Sequence, residues 1–89
     1  MRAVISVVGK DTVGILARVS AVCMEYNVNI IDVNQTVMQD VFAMTMLTDA
    51  SACSVSFSEF SDRMSTLGKE IGMVIHTMHE DIFLSMHRI

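Results

Sequence analysis

The strongest constraint on how this chain folds is a repeated switch in the spacing of its apolar residues. Residues 3–8 (AVISVV) are β-branched and almost wholly apolar, the pattern of a central strand. After the turn GKDTVG the spacing changes. Ile15, Leu16, Val19, Val22, Cys23 and Tyr26 recur at helical intervals and fall on one face. Asp11 or Thr12 is placed to cap this helix by accepting from its free amides, and Asn27 suits a left-handed stop. Residues 29–38 (NIIDVNQTVM) return to alternation, with Ile31, Val33 and Val37 on one face and Asp32, Asn34 and Thr36 on the other. Gln39-Asp40 is a short polar break before a second strand at 41–48 (VFAMTMLT), so the pair reads as a hairpin.

Residues 49–55 form a loop, and Ser56-x-x-Glu59 is a capping-box pattern opening a second helix. Phe57, Phe60, Met64, Leu67 and Ile71 keep helical spacing until Gly72 ends it. Residues 73–79 (MVIHTMH) make the last strand. Ile82, Phe83, Met86 and Ile89 then suggest a short amphipathic helix packed on the sheet edge or on a partner subunit. The order β-α-β-β-α-β, with right-handed crossovers, gives an α+β ferredoxin-like sandwich: four antiparallel strands with both helices on one face. With no proline and no linker, one domain is expected to fill residues 1–89, residues 80–89 being its tail.

Composition narrows the function. An apolar share of 52% in 89 residues favours association with a second copy, because small domains hide little surface alone. Net charge is −4, and the six basic residues (Arg2, Lys10, Arg18, Arg63, Lys69, Arg88) form no stripe, which argues against direct nucleic-acid binding. No apolar run approaches the roughly 20 residues of a membrane helix, and with a strand-like run starting almost at once no signal peptide is expected. Cys23 and Cys53 match no metal or redox spacing and read as packed thiols, so a cytoplasmic protein is expected.

The loop after the first strand is the candidate site. It enters a helix, where free amides and the positive helix end seat a carboxylate or phosphate. Gly9 and Gly14 permit a tight turn, and Gly14 also leaves room for a ligand or a partner's backbone. Over the same residues GKDTVGILARVSAVCMEYNVNIIDVNQ, the chain resembles the ACT-domain family. The likeness extends along the chain to HEDIFLSMHRI, which resembles the ends of small free-standing members. The resemblance implies two domains joined along the second strand and first helix, with a small ligand, such as an amino acid, at the seam. It implies ligand contacts from Asp11, Thr12, Val13, Gly14, Ile15, Asn29 and Ile30, no cofactor and no catalysis. Partners implied are a second copy and an unidentified regulated protein. Asp11 suits an α-amino group, the helix-start amides a carboxylate, and Asn29 offers both donor and acceptor. Some amino-acid-binding members carry histidine where this chain has Gly9.

Other uses of the fold fit less well. Acylphosphatases need an arginine in the loop, and Arg18 comes a helical turn too late; metal carriers need CxxC there; RNA-recognition modules need aromatics on the central strands, where only Phe42 is found. The alternatives kept open are an oligomerisation or adaptor module without ligand, and a divalent-metal-binding variant. For the latter, alternation sends His76 and His79 to opposite faces, whereas His79, Glu80 and His87 can converge across a bend near Asp81.

Overall fold

The computed structural model describes residues 1–86; the sequence expectations for His87 and Ile89 lie outside the described residues. Strand β1 spans Arg2–Lys10, helix α1 Ile15–Glu25, β2 Asn29–Met38, β3 Val41–Asp49, α2 Phe57–Ile71, β4 Met73–His79 and α3 Glu80–Met86. All pairings are antiparallel, in the order β2-β3-β1-β4. This is the ferredoxin-like arrangement. Ile5 and Val7 of β1, Met44 and Met46 of β3 and Ile75 of β4 point into one core with Val19 and Cys23 of α1 and Phe60, Met64 and Leu67 of α2. Both helices therefore lie on one face, α1 over the β2 side and α2 over β4. The molecule is only 19 Å through its thinnest direction, one helix layer on one sheet.

Local signals set most element ends. The Ser56 hydroxyl accepts from the Glu59 N–H at 3.1 Å and caps α2, while Gly72 closes it at φ 72° and leads straight into β4. Asn27, at φ 60°, ends α1, and its side-chain amide donates to the Ala52 carbonyl at 3.0 Å. Gln39, at φ 57°, makes the two-residue hairpin turn.

Two expectations need correction. Neither Asp11 nor Thr12 caps α1: the capping position is Gly14, at φ 86°, with no side-chain hydrogen bond. The turn is made by a left-handed glycine later in the chain, so both polar residues stay in the loop. In β2, Ile31 does not share a face with Val33. A bulge between Ile30 and Asp32 breaks the alternation, so Ile30 packs on the core with Val33 while Ile31 is 47% exposed. The short helix expected at the C-terminus is α3, which contacts β1 and β4, with Phe83 half-buried and Ile82 and Met86 exposed.

The two thiols differ in access. Cys23 is fully buried on α1, and burial pushes its pKa up to about 11. Cys53 is half-buried and packs against the same core. At pH 8 we expect iodoacetamide to modify Cys53 well before Cys23, with Cys23 reacting only on unfolding, as read by mass spectrometry. Equal labelling rates would contradict this packing.

Candidate functional site

Around the β1–α1 loop the sheet and helix leave an open depression of about 480 Å³. Asp11, Thr12, Gly14 and Ile15 line it from the loop and Leu16 and Ala17 from the first turn of α1; Gln35, Val37 and Phe42 line it from the sheet. Asp11 is the only ionisable residue in that lining. Its backbone N–H donates to the Asp40 carbonyl at 2.8 Å, tying the loop to the β2–β3 turn. The α1 amides meet no side-chain cap, and no acidic residue sits in the first turn. A positive helix end is thus left open toward the depression.

Glycine has two distinct uses here. A Cβ on Gly14 would meet nothing within 4 Å, so this residue is required for its left-handed backbone and leaves the space before α1 empty. Gly9 is the reverse. A Cβ there would lie 2.5 Å from Met73 Sδ and 3.0 Å from the Gly72 carbonyl oxygen. Gly9 is thus packed from behind by the α2–β4 junction.

The sequence-derived residues do not all meet within one chain. Val13 is fully exposed and lines a second depression of about 220 Å³ with Arg18, Glu70 and Ile71. Asn29 pairs with Asp49, which pairs with Arg2 at the start of β1. It therefore lies at the opposite end of the sheet from Asp11, about 25 Å away at ~3.3 Å per residue. There it lines a depression of about 300 Å³ with Met24, Asn27, Val28, Asp49, Ser51 and Ala52. Asp49 is already engaged: Ser51 donates to it from its hydroxyl at 2.6 Å and its N–H at 2.9 Å, holding the carboxyl below its usual range. Ile30 is half-buried against the core.

Gln35, Val37 and Phe42 were not expected from the sequence as site residues. Strand parity from Val33 puts Gln35 and Val37 on the helix side, but only the sheet register brings them beneath Gly14. His76 pairs with Ser6 on the side opposite α1 and α2, while His79 pairs with Ala3 and meets the Phe57 ring at a 42° tilt with centroids 4.9 Å apart, so the two histidines point apart. Among the described residues no three metal-binding side chains gather, and no helix is long and apolar enough to cross a membrane.

Comparison with known proteins agrees with this architecture. The ACT domain family model matches residues 2–79. A UPF0237 protein of Clostridium acetobutylicum is 46% identical over 89 residues, covering 100% of both chains. One from Methanosarcina acetivorans is 44% identical over 88 residues, covering 99% of this chain and 96% of the relative. Among solved structures, an ACT domain protein from Streptococcus pneumoniae superposes with a TM-score of 0.81 at 32% identity, covering 93% of each chain. A putative glycine cleavage system transcriptional repressor shares the fold, with a TM-score of 0.72 at 21% identity over 85% of this chain and 43% of that one. ACT domains are regulatory modules that bind small molecules, and this chain belongs to the ACT-domain family.

Proposed function

We propose that this protein is a regulatory homodimer that binds an amino acid at the seam between two copies and passes occupancy to a regulated protein. The carrying observation is the uncapped, left-handed start of α1 above a depression with Asp11 in its lining. That arrangement seats a carboxylate on the helix amides and an ammonium on Asp11. Ile15, Val37 and Phe42 offer an apolar floor for the side chain.

The edge strand supports the pairing. The two-residue turn makes Met38 and Val41 a hydrogen-bonded pair, so alternation directs the backbone groups of Val33, Gln35 and Val37 outward. This ten-residue edge carries one charge, Asp32, and no proline, and such an edge is open to another strand. Val33 N–H already binds Asp32 Oδ1 at 2.8 Å, a bond that pairing would exchange for a ladder bond. Ile31, Val37 and Met38 are exposed along β2, and Met24 is exposed on α1, the helix over the β2 side. An antiparallel pairing of two β2 strands about Asn34 would set Ile30 opposite Val37 of the partner subunit. Asn29 would then fall beside the partner's loop. Asp11, Thr12, Gly14 and Ile15 of one chain would meet Asn29 and Ile30 of the partner subunit there, while Val13 faces the neighbouring depression beside Glu70 and Ile71. A ligand preferring one subunit geometry would shift the population toward it.

A thermal-shift screen of the twenty amino acids tests the reading. We expect at least one to raise Tm, and Asp11→Ala or Asn29→Ala to abolish that rise. A dimer with no hit would instead support an adaptor module. Binding unchanged in both variants would remove this site.

A further inference from the structure

Strand parity gives the sheet a second side opposite α1 and α2. Val4 at one end of it is only 3% exposed, and α3 contacts β1 and β4, but the half carrying Val8 and Val74 is open. Val8 lies there between Val74 and Ala43, with Val41 and Met38 on the next row. Val8 is 44% exposed, Val74 60%, Val41 43% and Met38 63%, an apolar patch in the middle of a sheet. Beside it runs a band of polar residues without carboxylate, lysine or arginine: Asn34, Thr45, Ser6 and His76, one from each strand. Only Asp32 and Lys10 bring charge to this part of the face, both at its margins.

We propose that this bare face is a second self-association surface, through which two edge-paired dimers stack back to back into a tetramer. Size and charge both point to another copy as the occupant. Four strands at ~4.8 Å by about six residues at ~3.3 Å give roughly 400 Å² per chain. Two chains joined at β2 double that to about 800 Å² per side, the standard size for a stable interface. A chain of net charge −4 repels its copies unless they meet through an uncharged surface, and this face supplies one. The polar band suits the same occupant, because Asn34, Thr45 and Ser6 each both donate and accept and can be satisfied by their own kind. A membrane surface is disfavoured by the single lysine and the absence of aromatics on these rows. Stacked sheets about 10 Å apart would bury the valines and the band together.

The tetramer rests on the β2 pairing, and sedimentation separates the two. We expect the wild-type protein at micromolar concentration to sediment as four chains. Val74→Glu should weaken the stacking about 100-fold or more and leave two chains, since a carboxylate would be buried unpaired. The combination of Val8→Thr and Val74→Thr, which keeps shape and strand propensity, should shift the same equilibrium in the same direction. Gln35→Pro removes an outward amide only and should also leave two chains, now paired through the face. A wild type of two chains, unaltered by Val74→Glu but split by Gln35→Pro, overturns the stacking and leaves the edge pairing standing. A wild type of two chains split by Val74→Glu and not by Gln35→Pro keeps the face and overturns the edge. A monomer overturns both.

Discussion

Replacing Phe60 by alanine is expected to lower the unfolding free energy by about 3–5 kcal/mol, the range for truncating a buried aromatic. Phe60 is fully buried at the start of α2 and meets Tyr26, at the end of α1, edge to face with ring centres 6.1 Å apart. The substitution removes a large apolar surface and this aromatic pair, and it opens a cavity between two helices that meet at few other points. For a domain of this size that is a fall in Tm of about 15–30 °C, measurable by calorimetry or urea titration. A loss below about 1 kcal/mol would mean that the ring is not where the two helices join.

Gly68→Ala should also destabilise, by about 2 kcal/mol, and here the sign is the test. Gly68 lies within α2, where helix propensity alone would make alanine more stable by about 1 kcal/mol. A Cβ at this position, however, would come 2.6 Å from the Met73 carbonyl oxygen and 3.1 Å from Ile75 Cγ1. Backbone cannot swing aside as a flexible side chain does, so α2 must move off β4. That movement would disturb the same α2–β4 junction that packs behind Gly9 and the candidate site. An increase in stability would show that the helix and strand are less closely packed than described.

These two residues also illustrate what was legible in the sequence. Phe60 sat in a helical repeat whose period alone marked it as core. Gly68 carried no local signal, because its requirement comes from a carbonyl five residues later that returns against it. The same division runs through the fold. Ser56, Gly72 and Asn27 act on their own turns, and their roles follow from residue chemistry nearby. The start of α1 misled for a related reason. Two cap-forming side chains precede a glycine whose backbone freedom, not its side chain, sets the turn.

The β2 bulge at Ile31 left no trace in the alternation, since Ile30 and Ile31 are equally apolar. At the candidate site the loop residues were visible as a motif, whereas Gln35, Val37 and Phe42 reach it only through the strand register. The separation of Asn29 from Asp11 was likewise a property of topology. In the proposed dimer, the sequence constellation would be completed only across two chains.

That sharing is tested most directly by mixing two defective proteins, once an amino acid ligand has been found for the wild type. Asp11→Ala and Asn29→Ala are each expected to bind none of it alone, because every seam then lacks one partner. When the two are unfolded together and refolded, half of the chains form mixed dimers by random assortment. In each mixed dimer one seam has lost both residues and the other keeps both. We expect isothermal titration of the mixture to recover wild-type affinity at about one quarter of the wild-type number of sites. A mixture that binds nothing, while remaining dimeric by sedimentation, would contradict a pocket built across the seam.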